Sequence, residues 1–352
     1  MNLDFKSIDQ PFSNEISMAG ETYLYFGGTA YLGIPQNQDF VDLYIDGIKR
    51  FGLNNGTSRS NNIQLGIYNE AEKVAAKRFQ SEDALITSSG YLAAQLTVKA
   101  LAENGNLVYA PNTHPSLWVA QNPATPNSFT EWTKQIVEII NISKERNWVL
   151  VSNALNNLAP EIYNFSFLEE IERNKNITLI IDDSHGIGVN NNGLSALSNL
   201  PKRSNIERIV VASMAKALGV DAGLVLGAHH IISRLKHSNV FNGASPAAAA
   251  GLFAFIKAEE IYKTAGIKLQ NNVGAFLKQI SPAVKFEPGF PAFLLDNPTI
   301  GEQLLQDKIL ISSFPYPTEN SSPINRIVLS SWHTKENIDQ LVAALSKKAF
   351  SQ

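Results

Sequence analysis

Short, uninterrupted apolar runs alternate with stretches of helical period along most of this chain. Ile177-Thr178-Leu179-Ile180-Ile181 and Ile209-Val210-Val211-Ala212 are rich in β-branched residues and carry no polar alternation, the pattern of central strands covered on both faces. Each run then breaks into polar residues and glycine. Asp182-Asp183-Ser184-His185-Gly186-Ile187-Gly188 follows the first, and Ser213-Met214-Ala215-Lys216-Ala217-Leu218-Gly219 the second. Further strands are expected at 22–26, 84–87, 107–110, 148–152 and 223–227. Helices are expected at about 38–51, 67–79, 91–103, 165–174 and 335–347, with a helix-rich stretch over about 229–280. Residues 52–66, rich in Asn, Ser and Gly, read as a long loop, and loops of that length are more often functional than idle.

Alternating strands and helices predict an α/β fold: a three-layer α/β/α large domain with a mostly parallel sheet, joined to a smaller α+β C-terminal domain. The expected boundaries are 1–45 for an N-terminal arm that joins the small domain, 46–245 for the large domain and 246–352 for the small one. At 352 residues, 44% apolar and 17% charged, the chain has the composition of a globular protein with a substantial core. A net charge of −3 gives no reason to expect nucleic acid or an anionic membrane as partner. There is no cysteine, which excludes disulfides, thiolate metal sites and cysteine nucleophiles. No basic region followed by an apolar run opens the chain, and no segment approaches the ~18 apolar residues of a membrane span. A cytoplasmic location is expected.

Ligands of open α/β sheets collect at the carboxyl edge of the strands, so the polar breaks carry the candidate chemistry. Lys216, among small neighbours, can form an imine with an aldehyde, although a lysine at a strand end is commonly a solvated surface residue. Asp182 can hold a pyridine nitrogen protonated, or it can cap a helix or bind a metal. His185 lies within reach of a ring oxygen. Ser89-Gly90-Tyr91, between a strand and a helix, suits a phosphate cradle or a simple helix cap, and Ser213 can add a hydroxyl to the same phosphate. His114 can stack on a ring from its polar loop. Arg326 suits a carboxylate, with a surface ion pair as the alternative, and Arg59 can be a second anion contact. An acid, an imidazole and an amine at one edge match the ring nitrogen, phenolate and aldehyde of pyridoxal phosphate (PLP). No third ligand accompanies Asp182 and His185, and no metal site is expected.

With these residues in place the chain resembles the α-oxoamine synthases of fold-type I PLP enzymes, the group that includes 8-amino-7-oxononanoate synthase and 2-amino-3-ketobutyrate ligase. The likeness runs from about residue 22 to 345. It rests on Tyr31-Leu32-Gly33, Ser58-Arg59, Ser89-Gly90-Tyr91, His114-Pro115-Ser116, the segment Asp182 to Val189, the segment Ser213 to Gly219, and the segment Arg326 to Thr334. The resemblance implies a Lys216 aldimine, with Asp182 on the pyridine nitrogen, His185 near the ring hydroxyl and His114 on the ring face. Ser89, Gly90, Tyr91 and Ser213 would surround the phosphate, and Arg326 would hold the substrate carboxylate. It also implies a homodimer with shared active sites and decarboxylative condensation of an amino acid with an acyl-CoA.

Several segments depart from the family pattern. Thr29-Ala30 precede Tyr31, Ser60-Asn61-Asn62 follow Arg59, and Gly193-Leu194-Ser195 replace a Gly-Arg-Gly. Asn157 stands where a serine is expected near the ring, and Asn242-Gly243 where a Ser-Thr would reach the partner's phosphate. These changes keep open an aminotransferase or lyase acting on a small amino acid, and a non-catalytic paralogue.

Overall fold

The structure is a computed structural model that describes residues 5–123, 125, 128–280, 284–315 and 318–349. The chain forms two compact units. The larger comprises Asp42–Asn156 and Ile162–Glu259, so residues 246–259 group with it; the smaller comprises Met1–Val41, Asn157–Glu161 and Glu260–Gln352.

A six-stranded sheet organises the large unit, in the order Asp83–Thr87, Gly223–Gly227, Ile206–Ser213, Asn176–Asp182, Asn147–Asn153, Asn106–Tyr109. The last four strands run parallel, and Gly223–Gly227 is antiparallel to both of its neighbours. The chain therefore jumps from one edge of the sheet to the other after Thr87. Helix Gly90–Leu101 carries that crossover and packs on Ile206–Ser213, Gly223–Gly227 and Asn176–Asp182. Continuous apolar runs became strands because both of their sides are covered: Ile180, Ile209, Val211, Val225, Val149 and Val151 join Leu85 and Leu96 in one buried cluster. Each such side chain stabilises the fold by about 2 kcal/mol through burial.

Most expected elements are present, with helix Gln38–Phe51 and strand Gly223–Gly227 at the expected bounds. The helix expected at 165–174 is not. Only a 3-10 segment, Ser166–Glu170, forms there, and Ile171 is already extended. The Arg203 guanidinium donates to the carbonyls of Leu168, Glu169 and Ile171, the groups a continuing helix would have needed as acceptors. A further helix, Phe129–Ile142, opens on a capping box in which the Ser128 and Glu131 side chains each accept from the other's backbone N–H. Its Phe129 ring stacks on Tyr163 at 3.9 Å between centroids.

The small unit has its own six-stranded sheet, in the order Glu15–Met18, Glu21–Phe26, Ile309–Pro315, Pro323–Val328, Ala292–Leu295, Val284–Phe286. Only the pair Glu21–Phe26 and Ile309–Pro315 is parallel. Arg326 lies on an inner strand, in register with Ser312 on one side and Leu294 on the other. Two motifs that are far apart in sequence meet just beyond that strand. Ser330 Oγ donates to the carbonyl of Ala30, Ser331 Oγ to that of Leu32, and the Ser331 N–H to that of Tyr31. Gly33 sits at φ +60°, and a Cβ there would lie 2.8 Å from Ser331 Oγ, so the tight approach requires glycine. No helix among the described residues is long and apolar enough to cross a membrane.

Candidate active site

Neighbouring parallel strands end on the candidate residues. Asp182 closes one strand and is registered with Asn153 on one side and Val211 on the other. Ser213 closes the next strand, and Lys216 follows it, half-buried, in the tight turn 214–222. That turn is closed by hydrogen bonds from Met214 N–H to Ala222 O and from Val220 N–H to Met214 O. Asp182 Oδ1 accepts the backbone N–H of Ser184 at 2.8 Å, which fixes the carboxyl group at the strand end. Ser184 Oγ in turn accepts the Ser213 N–H at 2.8 Å, stitching the Asp182 turn to the lysine-bearing strand.

Beside them, Ser89 and Gly90 form a cradle. Ser89 is the extended N-cap of helix Gly90–Leu101, and its hydroxyl accepts the Leu92 N–H at 3.1 Å. Ser213 pairs with Gly223, which pairs with Thr87, so these positions form one row across the sheet. A Cβ on Gly90 would lie 2.6 Å from Ser213 Cα, and one on Gly223 would lie 2.1 Å from Ser89 O. Two glycines thus let a helix N-terminus, with its outward-pointing N–H groups, settle against the Ser213 strand end, an arrangement suited to phosphate. Tyr91 is 60% exposed in the first turn of that helix.

His114 is held in a loop of defined shape. Its Nδ1 accepts the Ser116 N–H at 3.2 Å and lies 2.7 Å from Ser116 Oγ. In the neutral ring Nε2 therefore carries the proton. Burial pushes this imidazole below the ordinary histidine range; the Asp182 carboxylate opposes that shift and the Lys216 ammonium adds to it. His114 thus feels both charges of the site, and it stays uncharged at neutral pH. His185 is half-buried in the turn between Ser184 and Gly186.

Sequence patterns did not single out Asp183, which is 3% exposed directly below this turn. Its Oδ2 accepts the Ala196 N–H at 2.7 Å, and its backbone carbonyl accepts from Gly186 and Ile187. Burial pushes its carboxyl up to about 8, with the neighbouring Asp182 charge adding to the shift and the Ala196 bond opposing it. Asn153 was also missed, although it ends its strand as Asp182 does and the same strand-end rule applies to it.

Three further candidates make polar contacts of their own. Arg59 is 8% exposed at its side chain, with Nη1 3.2 Å from Glu72 Oε1 and Nη2 donating to Asn69. Its guanidinium lies over the Tyr68 and Phe241 rings, so an anion would have to displace Glu72. Arg326 and Asn157 both belong to the small unit, where Arg326 Nη1 donates to the Asn157 carbonyl. Arg326 is 5% exposed, and its Nε has no partner among the described residues. Burial pushes its guanidinium below the ordinary range, while Tyr31 and Tyr25 oppose that shift.

A carboxylate, a ring-sized imidazole face, an amine and a glycine-lined helix N-terminus meet the needs of PLP, and the close approaches at Gly90 and Gly223 seat that N-terminus against the Ser213 strand end. Comparison with known proteins agrees. The profile of the aminotransferase class I and II family matches residues 42–345, and the chain belongs to that family of PLP-dependent enzymes.

Within the family it is similar to 8-amino-7-oxononanoate synthases. The synthase of Dechloromonas aromatica (strain RCB) is 25% identical, over 97% of this chain and 94% of its own length. That of Alkaliphilus metalliredigens (strain QYMF) is 23% identical, over 97% and 91%. Among solved structures, Sphingomonas wittichii serine palmitoyltransferase matches with a TM-score of 0.81 at 15% identity, over 99% of this chain and 92% of that one. The 8-amino-7-oxononanoate synthase of Francisella tularensis matches at 0.69 and 19%, over 94% and 98%. A lysine-to-alanine variant of serine palmitoyltransferase from S. paucimobilis, solved with a PLP–myriocin aldimine bound, matches at 0.80 and 15%, over 98% and 92%. These structures establish the fold as type I of the PLP enzymes.

Proposed function

We propose that this chain is a PLP-dependent α-oxoamine synthase, which condenses an amino acid with an acyl-CoA and releases carbon dioxide. The observation that carries the reading is the geometry that brings His114, Asp182 and Lys216 to one sheet edge: Asn153, in register with Asp182, accepts the His114 N–H, and Ser184 ties the Asp182 turn to the strand that Lys216 follows. Support for a synthase in particular comes from relatives of that activity that align over nearly the full length of the chain.

PLP supplies an electron sink for the negative charge that develops at the amino acid's α-carbon. The chain's own residues do the rest. Lys216 Nζ is the group that would hold the cofactor's aldehyde carbon, and the same amine would serve as the base for the α-proton. The Asp182 carboxyl group, fixed by the Ser184 N–H, would hold a proton on the ring nitrogen. His114 would lie on the ring face, and His185 would approach the ring oxygen. Ser89, Gly90, Tyr91 and Ser213 would bind the phosphate, and the Arg326 guanidinium would take the amino acid's carboxylate. The enzyme works in the cytoplasm as a homodimer with shared active sites.

The test is thiol release from a series of acyl-CoAs by the PLP-loaded protein with glycine, alanine or serine. Thiol release that requires one amino acid and disappears in Lys216→Ala is the expected result. Amino transfer to a 2-oxo acid without thiol release would replace this reading with an aminotransferase, and no turnover with any pair would replace it with a binding protein.

A further inference from the structure

Asn153 ends the strand next to Asp182. The two residues are paired in parallel register, so their side chains leave the same face of the sheet. At 9% exposure the Asn153 amide must find partners, and both of its ends do. Oδ1 accepts the His114 backbone N–H at 3.1 Å, and Nδ2 donates to the Asn112 carbonyl at 2.6 Å. One partner is a donor and the other an acceptor, so the orientation of the amide is determined. A carboxylate could keep the first bond but would set its second oxygen against the Asn112 carbonyl.

The loop between these bonds has little freedom left. Asn112 is left-handed at φ 55°, a conformation asparagine tolerates better than most residues. His114 is extended at ψ 142°, as a residue before proline must be. Thr113 Oγ1 accepts Trp118 Nε1–H at 3.0 Å, and Ser116 holds the imidazole Nδ1. What the loop lacks from its own sequence is attachment to the sheet edge at Asp182, and the Asn153 amide supplies it.

We propose that Asn153 is a positioning residue for His114: it clamps the 112–114 loop to the end of strand Asn147–Asn153, beside Asp182, and so holds the imidazole where the PLP ring would lie. The proposal rests on the reading of His114 as the ring-facing residue.

The experiment is a double-mutant cycle on PLP binding to the full-length apoprotein, with Asn153→Ala, His114→Ala and the double variant. Each is titrated with PLP for its dissociation constant, and the visible circular dichroism of the bound cofactor is recorded. Asn153→Ala should weaken PLP about tenfold, the worth of one to two buried hydrogen bonds, and reduce the dichroic band. In the His114→Ala background the same substitution should change neither quantity.

If His114→Ala leaves affinity and dichroism intact, the ring-facing reading itself fails. If His114→Ala weakens PLP but Asn153→Ala does not, or the two effects add, the positioning role fails and the stacking role stands. A lower apoprotein melting temperature with unchanged PLP affinity would make Asn153 merely structural. Should Asn153→Ala not fold, Asn153→Asp keeps volume and the bond to His114 N–H. Its added charge bears on the His114 imidazole as well, so the cycle is repeated with the neutral Asn153→Ser, and independence from His114 in that variant would overturn the proposal equally.

Discussion

His333 Nε2 donates to the carbonyl of Tyr25 at 2.8 Å, joining residues 308 positions apart in the sequence. Its Nδ1 accepts the Ser330 N–H at 2.9 Å, its ring stacks on Phe26 at 4.4 Å, and Asn272 Nδ2 donates to the carbonyls of Ser330 and His333. Both ring nitrogens are committed in the neutral tautomer, and a proton on Nδ1 would break the bond from Ser330.

Burial holds the His333 imidazole down at about 4, against the two backbone hydrogen bonds. The unfolded chain therefore binds this proton at a higher pH than the folded one. The stability due to neutral His333 is complete above pH ~6.5 and is lost as pH falls toward 4, a change of about 3 kcal/mol. Urea unfolding of the apoprotein between pH 4 and 7 measures it, and His333→Gln should flatten the profile while lowering stability at pH 7.

Asp183 carries the opposite sign. Its folded-state carboxyl is raised to about 8, so the stability it contributes is present below pH ~4 and declines as pH rises through 8. Asp183→Asn removes the ionisation while keeping an oxygen for the Ala196 N–H. Its melting temperature relative to the parent should climb by several degrees between pH 5 and 9; a constant difference would show that Asp183 does not titrate in that range.

Glu72 is 2% exposed and receives Arg59 Nη1 at 3.2 Å, Lys236 Nζ at 2.9 Å and the Ile86 N–H at 3.2 Å. Removing the charge leaves Arg59 inside the protein without its anion. Glu72→Gln should cost about 3 kcal/mol in urea unfolding, far more than an exposed ion pair.

The cradle glycines should be intolerant. Gly223→Ala places a Cβ 2.1 Å from Ser89 O, and Gly90→Ala places one 2.6 Å from Ser213 Cα, so either change displaces the Ser89 turn. PLP titration should show affinity lowered at least about tenfold, with pyridoxal, which lacks the phosphate, much less affected.

Lys216→Ala should abolish the visible band of enzyme-bound PLP and reduce turnover by at least about 10³-fold. Asp182→Asn should retain part of the cofactor and lose about 10²-fold or more in turnover, because a neutral amide no longer holds the ring nitrogen protonated. Absorbance and thiol-release assays on the same preparations check both.

Sequence pattern by itself determined the six strands of the large unit's sheet, the crossover helix, and the placing of Asp182 and Ser213 at strand ends with Lys216 just beyond, because apolar runs covered on both faces and their polar breaks are local features. It also carried the family motifs. Other features depended on groups distant in sequence. Residues 165–174 contain helix-forming residues, yet Arg203 takes their carbonyls. Arg59 looks like a free anion contact in a polar loop until Glu72, thirteen residues on, claims it. Asn153 is one asparagine among many in the sequence; only the register beside Asp182 and the return of the 112–114 loop make it a clamp. Local periodicity specifies which backbone an element adopts, whereas the partners of a buried polar group are chosen by the tertiary contacts that remove its water.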